Sequence, residues 1–181
     1  LFLMCKKNKI PTVETTLLSE NLSVVKGELK RFDRWPVVLK RIVGCGGEYV
    51  EKAKNTNEAI RIIKKFWKKG KERLPIIAQE FIKSPSYRLT TIDGRIVQTA
   101  IKESPHWKNT GVSSERFRKM KVDAKLRKLA KKIFKITGIR VCGIHLLNKY
   151  GEWIVLEVNC SPGLGFFSNT REKLEEDIIN L

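Results

Sequence analysis

Apolar positions recur along this chain with two periods, and the change from one to the other predicts its helices and strands. Val122, Leu126, Leu129, Ile133 and Ile136 are spaced as one face of a helix, and Gly138 follows as its left-handed stop. Leu22 to Phe32 reads as a second helix. Asn55, with Glu58 three residues on, resembles a capping box. It opens a third helix that would bury Ile60, Ile63 and Trp67 and stop at Gly70. Residues 1–9 read as the end of a helix, and a last helix starts near Thr170. Strand-like runs cover Thr12–Leu17, Pro36–Lys40, Tyr49–Lys52, Pro75–Glu80, Tyr87–Ile92, Arg95–Lys102, Arg140–Leu147 and Trp153–Asn159. Asp93-Gly94 between two of them predicts a type I′ hairpin. A polar loop spans about 103–120. Hairpins rather than a βαβ series predict an α+β fold and argue against a doubly wound parallel sheet.

Three stretches interrupt the apolar pattern with chemistry. In WIVLEVNCSPGLGFF, residues 153–167, strand alternation puts Trp153, Val155, Glu157 and Asn159 on one face. A hairpin turning near Tyr150-Gly151-Glu152 would set His145 opposite Glu157. A carboxylate beside an amide oxygen suits Mg²⁺, a hard ion that keeps water and substrate phosphate in its shell. The spacing fits equally a Glu paired with one of the many Lys or Arg residues. Gly44-Cys45-Gly46-Gly47 lies between strand-like segments, where glycines let backbone N–H groups approach a phosphate. Lys40 precedes this turn and Arg41 follows Lys40, so the segment is neither a Walker loop nor a dinucleotide fingerprint. Such a turn by itself is usually only a turn. Gln79-Glu80-Phe81-Ile82 ends a strand; it is either a plain edge or a hinge offering backbone groups to adenine.

Composition narrows the class. The 181 residues, 41% of them hydrophobic, can bury a core. No run of about eighteen apolar residues predicts a membrane span. Residues 1–5 are too short for a signal-peptide core, and a chain that begins on Leu reads as part of a longer one. Cys5, Cys45, Cys142 and Cys160 show neither CxxC nor metal spacing, which predicts reduced thiols and a cytoplasmic location. The net charge of +18 favours anionic partners. No RNA-binding aromatic box or zinc finger accompanies it, so nucleic acid is not expected as the primary partner.

Taken in order, WPVVLKRIVGCGGEYV, IIAQEFI, YRLTTIDGRIVQTAIKE, HWKNTG, GIRVCGIHLL and WIVLEVNCSPGL resemble the ATP-grasp carboxylate–amine ligases, most closely the RimK-like branch. The resemblance covers most of residues 10–175, and its most specific piece is the last. It implies two α+β lobes with antiparallel sheets clasping ATP. Residues 34–80 would form the small lobe with the glycine loop and 81–181 the large lobe with the metal site, after a connecting segment at 1–33. It implies nucleotide contacts from Lys40, Gly44, Gly46, Gly47, Gln79, Glu80, Phe81 and Ile82. Mg²⁺ would be held by Glu157 and Asn159. Arg88 and Lys108 would be the cations beside the transferring phosphoryl group and the substrate carboxylate. The implied reaction joins a carboxylate to an amine, such as glutamate or another amino acid, through an acylphosphate. The acceptor could include an acidic protein tail.

Three departures qualify this. His145 stands where the family usually has a metal-binding Asp, and imidazole favours transition metals such as Mn²⁺ over Mg²⁺. Ser86 replaces the usual Asp two residues before the arginine. Asn109-Thr110-Gly111 lacks the usual double glycine. The alternative they leave open is an ATP-binding module with a degenerate metal site and little or no ligase activity.

Overall fold

The computed structural model describes residues 1–43, 47–69, 73–102, 107–108, 117–164 and 166–181, with backbone alone at 168–170. In chain order the elements are α1 (Phe2–Lys7), β1 (Thr15–Leu18), α2 (Leu22–Phe32), β2 (Val37–Arg41), β3 (Val50–Ala53), α3 (Thr56–Lys69) and β4 (Ile76–Glu80). There follow β5 (Ser86–Ile92), β6 (Arg95–Lys102), β7 (Phe117–Arg118), α4 (Ala124–Thr137), β8 (Val141–Lys149), β9 (Glu152–Asn159) and α5 (Ser168–Ile179). None of the described helices is long and apolar enough to cross a membrane. The fold is the expected α+β type, with two antiparallel sheets in two compact units. One unit is Val13–Ile82; the other joins Leu1–Thr12 to the chain from Lys83 onward.

The first unit is a four-stranded sheet, ordered β1-β4-β2-β3, covered on one face by α2 and α3. Val25 and Leu29 of α2 and Ala59, Ile63 and Phe66 of α3 pack on Val37, Leu39, Ala53, Ile76 and Ala78. Burying each large apolar side chain this way contributes about 1.5–3 kcal/mol. The α3 stripe differs from the expected one: Ile63 is buried, but Ile60 and Trp67 are only half-buried. Positions 59, 63 and 66 form the centre of the stripe, and 60 and 67 lie one residue round the helix at its edge. Asn55 caps α3, its Oδ1 accepting from the Glu58 N–H at 3.0 Å. The Glu58 carboxylate returns to the N–H of Lys54 at 2.8 Å, one residue before the cap. Gly70, the expected stop, lies outside the described residues.

The second unit is a five-stranded sheet, ordered β7-β6-β5-β8-β9, with α4 on one face. Leu126, Ala130 and Ile133 of α4 pack on Leu89, Ile144, Leu146 and Val155. Asp123 caps α4 and Gly138 ends it at φ 67. The chain before β1 joins this unit too. The Pro11 carbonyl accepts from Val155 N–H and the Thr12 hydroxyl donates to the Val155 carbonyl, both at 2.9 Å.

One strand does not alternate as expected. Leu146 pairs with Val155 and His145 with Glu157, so Leu156 is an extra residue opposite no partner. A bulge of this kind puts two residues against one and reverses the facing of everything beyond it. Trp153 and Val155 therefore pack with the α4 core, while Glu157 and Asn159 face the other way. The expectation of one shared face for these four is overturned by that single residue.

The Asp93-Gly94 turn has positive φ at both residues, 47 and 74, as a type I′ turn requires. A Cβ on Gly94 would stand 3.0 Å from Phe134 Cβ and 3.2 Å from the Lys131 backbone. Gly94→Ala should lower the unfolding free energy by about 1–3 kcal/mol in urea titration. Gly151→Ala, at φ 86 with no atom within 4 Å, should cost less. Beside this turn Arg140 binds Asp93 through two hydrogen bonds of 2.9 Å, which hold the Asp93 carboxyl below its ordinary range. A depressed carboxylate contributes stability above its unfolded pKa and loses it as pH falls through the folded one. The stability gap between wild type and Asp93→Asn at neutral pH should therefore narrow once the pH drops below about 4.

Candidate functional site

In the first unit, strand alternation separates core from chemistry. Val37 and Leu39 point to the helices, so Val38 and Lys40 occupy the opposite face. Register sets Ile77 and Val50 beside Lys40, and Gln79 and Lys52 beside Val38. Lys40 thus rises from an apolar floor with a buried amide close by. Gln79 Nε2 donates to the Thr15 hydroxyl at 2.9 Å, while its Oε1 is buried with no hydrogen-bond donor among the described residues. An unmet buried acceptor costs about 1–3 kcal/mol, which an exocyclic amino group would relieve. The N–H groups of Glu80 and Phe81 already donate to the carbonyls of Glu14 and Pro36, at 3.0 and 3.2 Å. Ile82 N–H finds no acceptor among the described residues, so of Glu80, Phe81 and Ile82 it is the one with a donor to offer. Lys52 Nζ sits 4.2 Å from the Phe81 ring centroid. Gly47 is held at φ 73; Gly44 and Gly46 lie outside the described residues.

In the second unit, the sheet face away from α4 carries polar groups beside the buried apolar residues Ala100, Leu147 and Ile154. Arg88 of β5 pairs with His145 of β8, and His145 pairs with Glu157 of β9, so three charged or titratable groups form one row. His145 Nδ1 lies 2.6 Å from Glu157 Oε1. One row over, Gly143 pairs with Asn159. A Cβ on Gly143 would stand 3.0 Å from Pro162 Cβ, so this glycine leaves room for Ser161-Pro162-Gly163 to fold back. Asn159 Oδ1 accepts from Ser161 N–H at 2.9 Å, which fixes the amide oxygen's direction. Burial pulls the Arg88 guanidinium's pKa down, and the Glu157 charge opposes that. The Phe166 ring lies 5.7 Å from it.

Lys102, which the sequence reading did not single out, belongs to the same face. It pairs with Ser86, two residues from Arg88, and its side chain is fully buried. Burial lowers its pKa, and the Arg88 charge adds to the effect. The alternation Gln98, Ala100, Lys102 was the available signal, since these share a face with Ser86, Arg88 and Thr90. Two cations in a low-dielectric setting are worth far more to an anion than the same pair in water. Lys108 forms no hydrogen bond or ion pair with another described residue.

Among the described residues no three His, Cys, Asp or Glu side chains cluster as metal ligands. Glu157 is half exposed and Asn159 Oδ1 is oriented, so two oxygen donors are present side by side. That fits a hard divalent ion completed by water and substrate oxygens. The third group, His145, supplies nitrogen and already rests on the carboxylate.

Comparisons with known proteins bear on the family and the fold. A family model described as a RimK-like ATP-grasp domain matches residues 2–181. Coenzyme gamma-F420-2:alpha-L-glutamate ligase of Methanocaldococcus jannaschii is 28% identical over 183 residues, 96% of this chain and 62% of that protein. A probable alpha-L-glutamate ligase of Thioalkalivibrio sulfidiphilus is 33% identical over 137 residues, 71% of this chain and 44% of the relative. The chain thus spans less than two thirds of either. The crystal structure of D-cycloserine synthetase DcsG matches with a TM-score of 0.73 at 19% identity, over 91% of this chain and 63% of that one. A RimK domain protein from Sphaerobacter thermophilus matches at 0.72 and 18%, over 94% and 61%. At these identities the two structures speak for the fold.

The Pro162 packing makes a prediction. Gly143→Ala should destabilise the chain by about 1–3 kcal/mol by overpacking, read by thermal unfolding. Gly163→Ala, with no atom within 4 Å of its new Cβ, should melt as wild type does.

Proposed function

The chain belongs to the RimK-like ATP-grasp family, and from that footing we propose that it is the catalytic part of an ATP-dependent ligase joining a carboxylate to an amine. The observation that carries this is the polar sheet face on which Arg88, His145, Glu157 and Asn159 occupy adjoining rows. The relatives named as alpha-L-glutamate ligases support glutamate, or another amino acid, as the amine. An acidic protein tail is one form the acceptor could take.

In this reading the acceptor carboxylate attacks the γ-phosphorus of ATP, the bond to ADP breaks, and an acylphosphate forms. The amine then attacks the acyl carbon, phosphate leaves, and the amine nitrogen gives up a proton. The protein's task is orientation and charge neutralisation. Lys40 and the glycine segment 44–47 hold the nucleotide phosphates. Gln79 Oε1 and the backbone at Glu80, Phe81 and Ile82 receive adenine. Arg88, with Lys108, balances charge on the transferring group and the carboxylate. Glu157 and Asn159 would hold Mg²⁺, which when bound would supply positive charge against the phosphates.

The contact of His145 with Glu157 favours a second reading, a nucleotide-binding module whose metal site no longer supports turnover. In calorimetric titration with a non-hydrolysable ATP analogue, Mg²⁺ should strengthen binding over EDTA. Glu157→Gln should weaken metal–nucleotide binding by about tenfold or more while leaving metal-free binding nearly unchanged. Equal affinities in wild type and Glu157→Gln would remove the metal assignment. His145→Asp should shift preference from Mn²⁺ toward Mg²⁺. Phosphate release that appears only in His145→Asp would support the second reading, and release by wild type with an amino acid present the first.

A further inference from the structure

The helical side of the first unit carries a feature that the nucleotide chemistry does not use. A groove of about 780 Å³ runs between residues 19–22, at the start of α2, and the outer face of α3. Lys64 and Lys68 of α3 and Arg73 line it, and all three are exposed without an ion-pair partner among the described residues. Lys65 and Lys69, on the far flank of α3, are engaged by Glu51 and Glu48 at 3.4 and 2.6 Å. Glu20 is the one carboxylate on the groove's lining, set against three cations. Trp67 also lines it, and the indole N–H is buried with no acceptor among the described residues. Three exposed cations against one carboxylate make the groove strongly basic and favour an anionic ligand.

We propose that this groove binds an acidic peptide segment, with Lys64, Lys68 and Arg73 facing its carboxylates. Cations at i and i+4 of a helix stand roughly 6 Å apart along the axis, and same-side groups of an extended peptide roughly 7 Å, so successive carboxylates can meet successive cations. Single-stranded nucleic acid is the weaker fit. It needs exposed aromatic faces for its bases, whereas Trp67 is half-buried with the Arg73 guanidinium 5.4 Å from its ring centroid. The proposal does not rest on the ligase reading, because the four-stranded sheet separates this face from the one that carries Lys40.

The test is fluorescence anisotropy of the full chain with labelled deca-glutamate, at about 0.15 M salt, where screening leaves only close pairs. Deca-glutamine and oligothymidylate are the comparison ligands. Lys64→Glu/Lys68→Glu/Arg73→Glu should weaken deca-glutamate binding by about tenfold or more. An equal charge change on α4, Lys128→Glu/Lys131→Glu/Lys135→Glu, should weaken it by about twofold or less. Trp67→Phe, which keeps the ring and removes the donor, should cost a few-fold, and it tests the groove even if the charge variant fails to fold. Equal losses in the two charge variants would reduce the effect to net charge and overturn the proposal. So would tighter oligothymidylate binding through the same residues, or absence of saturable deca-glutamate binding.

Discussion

The polar face of the second unit depends on one extra residue in its last strand. With Leu156 unpaired, β9 buries Trp153 and Val155 against α4 and still turns Glu157 and Asn159 to the opposite face. Without the bulge, an unbroken period of two would leave Val155 and Glu157 competing for the same side. One of them would then be wrongly solvated, either a carboxylate in the core or a branched apolar side chain among the charges. The bulge resolves that conflict by accepting the loss of one residue from the ladder. The arrangement beyond it depends on a second local fit, Gly143, whose missing side chain admits Pro162 and lets Asn159 hold the returning chain.

The two units solve a shared problem in the same way. Each has a sheet with one face covered by helix and the other carrying polar groups among apolar ones. In the first, Lys40 and Gln79 stand among Val38, Val50 and Ile77, and the Gln79 oxygen has no donor among the described residues. In the second, Arg88 and Lys102 are depressed in pKa by burial on the same face as Glu157. Charges and amides kept partly dry cost stability, and such costs collect where a ligand relieves them.

Much of this was legible in the residues. The I′ signal Asp93-Gly94, the helix stop Gly138 and the spacing of α2 and α4 are local instructions, and the structure follows them. Strand ends moved by a residue or more, as with β1, which runs Thr15–Leu18 rather than Thr12–Leu17, because residues 11 and 12 are drawn to Val155. The α3 stripe is narrower in the structure than its apolar pattern, with Ile60 and Trp67 only half-buried at its edges. Lys102 escaped notice because a strand-end lysine is ordinarily solvated, and only its neighbours bury it.

By itself the sequence determined the α+β class, most element positions and which residue types carry chemistry, because caps, turns and periodicity act within a few residues. It also brought His145 close to Glu157 across a tight hairpin, although the hairpin register alone would pair His145 with Leu156 and the bulge is what sets Glu157 opposite it. Tertiary structure decided which way those side chains face. A bulge is set by the competition between a strand's two faces for one core, and that competition exists only once β8 and α4 are in place. The buried state of Lys102, the unmet oxygen of Gln79 and the basic groove along α3 likewise arise from neighbours distant in the chain, whose packing no local pattern records.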